Sequence, residues 1–497
     1  MWMGIDVGTG GTRALILDEA GTLAGTFTAP HQEMRMERPL WAEQSPEDWW
    51  SAAQIAIRGA LSHAALQGSQ IRAIGLSGQM HGLVVLDAEN CVLRPSLIWC
   101  DQRSQAQVDF INGKVGRERV LAWTANPVLT GFTLPKLLWV RDREPRIFER
   151  VRHMLLPKDY VRFQLTGEYA TDVSDASGTA LFDVVNRRWS FDMADALGID
   201  RSMLPAVYES SAVSGCVSRA AAAATGLAEG TPVVGGAGDQ AASAVGNGIV
   251  ASGVVSCTLG TSGVVFAHMD EVAYDPGGRV HTFCHAVKDK WHVMGVTQGA
   301  GLSLQWFRNR LAPGADYDRL TEEAETAPLG AQGLFWLPYL MGERTPHLDA
   351  AARGGWIGLT ARHVRADLIR AILEGVCYSQ KDCLEIIEGL NVRVDSVRAS
   401  GGAARSPFWL RLLADVLGKP VVTLASQEGS AYGAALLAMI GSGQFASAEE
   451  ACLVSLQADN TIPPRPDAVA AYGRSYATYR ALYPALRPLF QDQEERL

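Results

Sequence analysis

Apolar residues recur along the chain with two different periods, and the alternation of the two predicts an α/β fold. In segment 46–66 the apolar residues fall at helical spacing, at Trp50, Ala53, Ile57, Leu61 and Ala64. This spacing predicts an amphipathic helix. The short apolar run 71–76 follows it and is typical of a buried strand. A helix that leads into such a strand indicates a sheet covered by helices.

The second half of the chain has the same alternation. One face of a long predicted helix carries Leu368, Ile372, Val376, Gln380, Cys383 and Ile387. We then predict a strand at 394–399, a turn at Gly401-Gly402, a helix at 407–417 and a strand at 420–424. Each half therefore has the elements of an α/β domain.

A short glycine-rich motif occurs twice, about half a chain apart. The copies are residues 6–12 (DVGTGGT) and 258–264 (TLGTSGV), and each lies between two strand-like runs. Both predict tight hairpin turns whose backbone N–H groups and hydroxyls can approach an anion closely. Two such turns between similar domains would hold phosphates, although each could also be a simple turn. A chain of 497 residues is too long for one compact core, and we place the domains at 1–246 and 247–497.

Composition and charge argue against several classes of protein. The net charge is −9 and there is no run of four basic residues, so we expect no nucleic-acid partner. The eight cysteines contain no Cys-x-x-Cys pair, which argues against a zinc site or a disulfide framework and favours the reducing cytoplasm. The N-terminus lacks the pattern of a signal peptide. The uncharged stretch 240–267 is crowded with glycine, serine and threonine, which predicts strands and no membrane span.

Two aspartates stand where phosphoryl transfer needs carboxylates. Asp6 ends the first predicted strand, directly before the first glycine-rich turn, where a carboxylate can hold hydrated Mg²⁺ beside phosphates. Asp239 follows a strand and a glycine turn at 231–238, and our hypothesis makes it the base that accepts the proton of the substrate hydroxyl. The alternatives are that Asp6 only stabilises a turn and that Asp239 only caps a helix.

The same glycine turn also matches a dinucleotide-binding fingerprint, Gly236-x-Gly238-x-x-Ala241. Asp239 would place a negative charge beside the pyrophosphate, and two glycines interrupt the helix that should follow. No acidic residue stands about 20 residues further on to bind the ribose. We therefore reject a nicotinamide cofactor.

A polar loop at residues 77–82 (SGQMHG) closes the predicted strand 71–76. The carboxyl ends of strands are common ligand sites in α/β sheets, and Gln79 and His81 offer hydrogen bonds suited to sugar hydroxyls. His81 could equally be a turn residue without a ligand.

Two longer motifs carry a resemblance to a known family. Residues 131–140 (GFTLPKLLWV) are similar to the first signature of the FGGY family of carbohydrate kinases, with Arg143 at its last position in place of the usual Glu, Asn, Gln or His. Residues 354–359 (GGWIGL), continued by 367–374 (DLIRAILE), are similar to the second signature. The resemblance covers nearly the whole chain, from Gly4 to about Ala438.

The resemblance implies two actin-like, ribonuclease-H-like domains with the active site in the cleft between them. The sugar is expected against the first domain and ATP, the co-substrate, against the second. Asp239 is the implied base and Asp6 the metal-associated residue, both beside Mg²⁺. The implied nucleotide-binding residues are Thr9, Gly10, Thr12, Gly260, Thr261, Gly301, Gln305, Gly401 and Gly402. In the adenosine motif 399–406, Ala403 replaces the usual third glycine, which is harmless if its φ is negative.

Within the family, the loop at 78–82 resembles that of members that phosphorylate xylulose. The implied sugar-binding residues are Gln79, Met80, His81, Trp99, Asp101, Asp239 and Gln240. The implied reaction converts ATP and D-xylulose to ADP and D-xylulose 5-phosphate. The alternatives are a kinase of ribulose, ribitol or another ketose or polyol, and an actin-like ATPase that is not a kinase. The sequence leaves the oligomeric state open, a homodimer included.

Overall fold

The computed structural model describes residues 1–425 and 429–494, with side chains up to residue 491. In the first half, the strands are β1 Trp2–Val7, β2 Gly11–Leu17, β3 Leu23–Pro30, β4 Glu43–Gln44, β5 Ala73–Gly78, β6 Val84–Leu86, β7 Ser96–Leu97, β8 His153–Leu155, β9 Ala170–Asp172, β10 Phe182–Asp183, β11 Arg188–Trp189, β12 Ala206–Tyr208, β13 Val213–Cys216, β14 Pro232–Val234 and β15 Ala237–Gly238. The helices are α1 Pro46–His63, α2 Gln105–Val115, α3 Arg117–Thr124, α4 Thr133–Arg143, α5 Pro145–Phe148, α6 Pro157–Thr166, α7 Val173–Ala176, α8 Phe191–Leu197, α9 Arg219–Thr225 and α10 Asp239–Gly246, with 3-10 turns at Ser177–Thr179 and Arg201–Met203.

In the second half, the strands are β16 Gly253–Leu259, β17 Gly263–Met269, β18 His281–Cys284, β19 Trp291–Thr297, β20 Phe335–Leu337, β21 Gly355–Ile357, β22 Val394–Ser400, β23 Val421–Leu424 and β24 Ala458–Ile462. The helices are α11 Gly301–Leu311, α12 Tyr317–Thr326, α13 Arg365–Gly389, α14 Pro407–Leu417, α15 Gly429–Gly441, α16 Ala448–Ser455 and α17 Pro466–Glu494, with 3-10 turns at Ala331–Gly333 and Gly402–Arg405. In the described ranges, no helix combines the length and the apolar character that crossing a membrane requires.

Each half is built on a seven-stranded mixed sheet. The first has the order β13-β14-β5-β1-β2-β3, with β15 also paired to β5, and the second has the order β18-β19-β17-β16-β22-β23-β24. In both, an antiparallel hairpin (β1–β2, β16–β17) has a parallel strand (β5, β22) beside its first strand. The two glycine-rich motifs are the turns of these two equivalent hairpins. The two-domain α/β fold is therefore confirmed.

Several predicted elements agree closely with the observed ones. The predicted helix at 46–66 is α1, the long helix of the second half is α13, and the helix predicted at 407–417 is α14. On α1 the buried face is centred on Trp49, Ala53 and Ile57, while Trp50 is only half-buried. The predicted helical spacing was thus correct, but in the first turn the buried residue is Trp49 and not the predicted Trp50.

Helix α15 belongs to the second half of the sequence but packs on the first sheet. It lies against α10 and covers β1 and β5. Glycines make this close approach possible: a Cβ on Gly4 would lie 1.9 Å from the Ala431 carbonyl oxygen, and one on Gly433 would lie 1.8 Å from that of Ala242. The pair α10 and α15 therefore joins the two halves directly behind the strand that carries Asp6.

Candidate active site

The first glycine-rich turn leaves backbone open on one side. The Gly8 N–H donates to the Gly11 carbonyl at 3.0 Å and closes the hairpin. A Cβ built on Gly10 would meet no atom within 4 Å, so there is open space beside this part of the turn. A flexible, unobstructed backbone of this kind suits the approach of a phosphate.

Asp6 is the last residue but one of β1 and is half-buried, with one unused carboxylate oxygen. Its Oδ1 is buried and has no hydrogen-bond partner among the described residues. Burial raises the pKa of Asp6, while the hydroxyls of Ser77 and Ser430 act to lower it. Ser430 belongs to α15, so the second half of the chain reaches this carboxylate.

Asp239 begins α10 and lies in the electrostatic field of Asp6. Burial, and next the negative charge of Asp6, raise the pKa of Asp239 to about 7, while hydrogen bonds from Gln240 act to lower it. Two carboxylates that share a buried site repel each other, and a bound cation or a proton relieves that repulsion.

The two carboxylates fit a magnesium ion. Proteins typically hold Mg²⁺ with one or two carboxylates, and phosphate oxygens and water complete the coordination. The unused Oδ1 of Asp6 and the neighbouring carboxylate of Asp239 offer this donor set. Over the ranges that the structure describes, no group of three or more His, Cys, Asp or Glu side chains could hold a metal by itself.

The polar loop after β5 presents His81 next to the Asp239 segment. The Met80 side chain packs on Gly238, where an added Cβ would lie 2.9 Å from Met80 Sδ. His81 stacks on Phe132, with ring centroids 4.7 Å apart and an interplanar angle of 19°. Its Nδ1 lies 2.7 Å from the Gly178 carbonyl oxygen. Burial lowers the pKa of His81 to about 3, so the ring is neutral near pH 7.

Hydrogen bonds connect this loop to the first glycine-rich turn. Thr9 Oγ1 donates to Gln79 Oε1 at 3.4 Å and accepts from Trp99 Nε1 at 3.0 Å. Gln44 completes the network: its Nε2 donates to the Thr9 carbonyl at 2.7 Å, and its Oε1 accepts from Gln79 Nε2 at 2.9 Å. Trp99 is 42% exposed, so part of this residue is accessible to a ligand.

Three predicted site residues have side chains that bond to other parts of the protein. Asp101 is fully buried, pairs with Arg103 at 2.7 Å and accepts from the Ala42 N–H. Thr12 is also fully buried, with Oγ1 2.9 Å from His31 Nε2. The Gln79 amide is occupied by the network described above. These side chains support the loops, and a role for Asp101 in the sugar site stays a prediction.

The candidate nucleotide residues of the second half surround one cavity of about 600 Å³. Gly260, Thr261, Gly301, Gln305 and Gly402 all line it. The Gly301 N–H donates to the Gly260 carbonyl at 2.8 Å, which holds the start of α11 against the second hairpin turn.

The adenosine motif adds two details to this cavity. Gly401 lies just outside the lining, with φ +86° and no room for a Cβ, which would lie 2.6 Å from the Leu259 carbonyl oxygen. Ala403 lines the cavity within a 3-10 turn, so its backbone is right-handed, which is the condition under which alanine can replace the glycine without strain.

Sequence reasoning missed three residues around His81. Phe132 and Lys136 lie within the first signature, but no role was predicted for either residue. Phe132 stacks on the His81 ring, and Lys136 Nζ donates to the His81 carbonyl at 2.9 Å. Arg344, from the second half, is close enough to lower the pKa values of His81 and His281. No local spacing in the sequence indicates that these residues meet.

Comparison with known proteins agrees with this arrangement over the full chain. Residues 1–246 match the N-terminal domain of the FGGY family of carbohydrate kinases, and residues 255–442 match the C-terminal domain. The xylulose kinase of Escherichia coli K12 is 40% identical over 492 residues, covering 98% of this chain and 100% of that protein. The xylulose kinase of Bacillus subtilis 168 is 39% identical over 481 residues, covering 97% and 96%.

A solved structure agrees equally well. The xylulose kinase of Rhodospirillum rubrum superposes with a TM-score of 0.93 at 31% identity and covers 99% of both chains. Both halves, the order of the motifs and the fold thus agree with one family. The chain belongs to the FGGY family of carbohydrate kinases and is an ATP-dependent sugar kinase.

Proposed function

We propose that the enzyme phosphorylates the 5-hydroxyl of D-xylulose. The observation that carries this proposal is the contact between the loop of Met80 and His81 and the segment that bears Asp239, because it would place a sugar bound by the loop beside a carboxylate. The relatives named as xylulose kinases, at 39% and 40% identity, support the same sugar.

In this proposal Asp239 accepts the proton of the attacking hydroxyl. A general base works best when its pKa lies near the operating pH, and burial together with Asp6 raises the pKa of Asp239 to about 7. Within the described ranges, the hydrogen bonds that act on the pKa of Asp239 come from the neighbouring Gln240, so the carboxylate stays available to accept a proton.

Asp6 and Asp239 would hold Mg²⁺, which when bound neutralises charge on the β- and γ-phosphates of ATP. The open turn around Gly10 and the cavity lined by Gly260 and Gly301 would bind the phosphates and the nucleoside. Trp99 and His81 would position the sugar, and closure of the two halves would exclude water from the γ-phosphate.

A coupled assay of ADP release tests the proposal. The purified enzyme is supplied with ATP, Mg²⁺ and one of a panel of sugars: D-xylulose, D-ribulose, hexuloses, ribitol and glycerol. We expect the highest kcat/KM with D-xylulose and a phosphate ester at C5 in the ³¹P NMR spectrum of the product. Higher kcat/KM with another sugar would reassign the substrate, and ADP release indifferent to sugar would contradict the proposed site.

A further inference from the structure

Lys136 on α4 is a fully buried lysine without a carboxylate partner. None of its side chain is exposed, and no acidic group in the described ranges forms an ion pair with it. Its Nζ instead donates to two backbone carbonyls, those of Gly131 at 2.6 Å and His81 at 2.9 Å. Burial lowers the pKa of Lys136 to about 7, and the charge of Asp101, which forms no ion pair with the amine, only partly offsets this effect.

Such a group costs stability. Removing an ammonium from water is unfavourable unless an opposite charge compensates it, and an apolar side chain of similar length would fill the same space without that cost. Residues that lower the stability of a fold are frequent at functional sites, where activity requires them. The two carbonyls that Lys136 holds therefore indicate what the amine contributes.

One of the two carbonyls belongs to His81, whose backbone is left-handed, with φ +68°. Non-glycine residues adopt this conformation uncommonly because the Cβ crowds the backbone, and histidine, like asparagine and aspartate, does so more often than most. The same carbonyl also accepts from Thr133 Oγ1 at 3.2 Å. Two donors from the first turn of α4 thus hold an unfavourable backbone conformation in place.

The conformation fixes what the His81 ring offers to a ligand. A carbonyl oxygen can only accept, so the contact between Nδ1 and the Gly178 carbonyl places the ring proton on Nδ1. The neutral ring then has an unprotonated Nε2. No side chain or backbone group of the described residues donates to Nε2, and it is not enclosed by protein. His81 therefore presents a hydrogen-bond acceptor to the sugar site.

We propose that Lys136 is a positioning residue: it holds the His81 backbone in the left-handed conformation that aims Nε2 at a sugar hydroxyl. This proposal rests on the proposed function, in which the loop of His81 binds D-xylulose. It also assigns a role to the lysine of the first signature motif, which is to order the sugar loop from behind.

Lys136→Met tests the proposal, with Lys158→Met as a matched control. Lys158 is equally buried but lies near three carboxylates, including Asp172 at 2.8 Å. For Lys136→Met we expect a KM for D-xylulose roughly ten- to a hundredfold higher, because a displaced His81 ring no longer accepts the sugar hydroxyl with good geometry. Its Tm should equal or exceed that of the wild type, and its Kd for ADP, measured by calorimetry, should be unchanged. Lys158→Met should lose stability, since it leaves buried carboxylates unpaired.

A second pair of variants keeps the test decisive if Lys136→Met folds poorly. Thr133→Val removes the other donor to the His81 carbonyl, whereas Thr133→Ser keeps it. We expect Thr133→Val to raise the KM for D-xylulose severalfold and Thr133→Ser to restore it. Equal KM values for the two, or an unchanged KM in Lys136→Met, would overturn the positioning role. Wild-type enzyme without turnover of D-xylulose would instead overturn the proposed function, so the two failures are distinguishable.

Discussion

Asp239 lies near Asp6, and its pKa is raised to about 7. One substitution tests its role as a base and its raised pKa. Asp239→Asn keeps the shape of the side chain but removes the proton acceptor. We expect kcat with D-xylulose to fall by roughly 10²- to 10⁴-fold, the usual contribution of a general base. Steady-state kinetics with saturating ATP and Mg²⁺ measure this loss. A variant with more than about a tenth of the wild-type kcat would place the base elsewhere.

The same variant has a predicted effect on stability in the absence of metal. The folded state holds the proton of Asp239 up to about pH 7, whereas the unfolded state releases it near pH 4. Above pH 7 the wild type therefore carries the full cost of a buried, ionised carboxylate, which Asp239→Asn avoids. The gain in Tm should be larger at pH 8 than at pH 5.5. An equal gain at both pH values would contradict the raised pKa.

His81 should contribute to sugar selectivity rather than to nucleotide binding. His81→Ala should lower kcat/KM for D-xylulose by roughly ten- to a hundredfold, because a hydroxyl left without its partner costs ~1 to 3 kcal/mol. The loss for D-ribulose should be smaller, and the KM for ATP should hardly change. Equal losses for both sugars would indicate general binding only, and no loss would make His81 a structural turn residue.

At single positions the sequence predicted proximity better than orientation. Asp6 and Asp239 were singled out because each adjoins a glycine turn at the end of a strand, and the structure places them in one electrostatic environment, while their chemical roles stay predictions. The role of Asp101 in the sugar site stays a prediction, and its contacts with Arg103 and the Ala42 backbone were not foreseen because they depend on how the chain folds back. Spacing along the chain does not contain that information.

At the scale of elements, the crossing of α10 and α15 depends on glycine. A Cβ on Gly433 would overlap the Ala242 carbonyl oxygen, which belongs to helix backbone that cannot yield easily. Gly433→Ala should therefore destabilise the protein by roughly 1 to 3 kcal/mol, as overpacking does. Chemical denaturation measures the difference.

Gly473→Ala is the control for this prediction. Gly473 lies inside α17, and a Cβ there would meet no atom within 4 Å. The free energy of unfolding of the Gly473→Ala variant should rise by roughly 0.5 to 1 kcal/mol, because alanine stabilises a helix interior more than glycine does. A Gly433→Ala variant as stable as Gly473→Ala would show that the two helices can separate without cost.

Elements with strong periodicity were predictable, and α14 agrees with its predicted bounds because a proline begins it and a glycine follows it. The association of α15 with the first sheet was not predictable. Its residues are apolar on most sides, so the sequence shows that it is buried but not which sheet buries it.

For the whole molecule, the repeated glycine-rich motif was the informative feature, since it predicted two hairpins in equivalent positions of two sheets. It did not reveal that α15, from the second half of the sequence, packs on the first sheet. Nor did it reveal that Ser430 and Arg344 reach the first half from the second. Such contacts arise only when both domains are assembled. They also mean that movement of one domain changes the surroundings of Asp6 and His81.

This arrangement leads to a prediction about closure. Water is a far more abundant acceptor than the sugar, so the γ-phosphate must be shielded until D-xylulose is bound. We expect the radius of gyration, measured by small-angle X-ray scattering, to fall when D-xylulose and a non-hydrolysable ATP analogue are both present. Each ligand alone should reduce the radius of gyration less. In a separate assay, ATP hydrolysis without sugar should be slow but measurable. We expect the pair α10 and α15, which joins the two halves, to act as the pivot of this movement. An unchanged radius with both ligands bound would mean that the site excludes water without domain movement, by the loops around Trp99 and His81 alone.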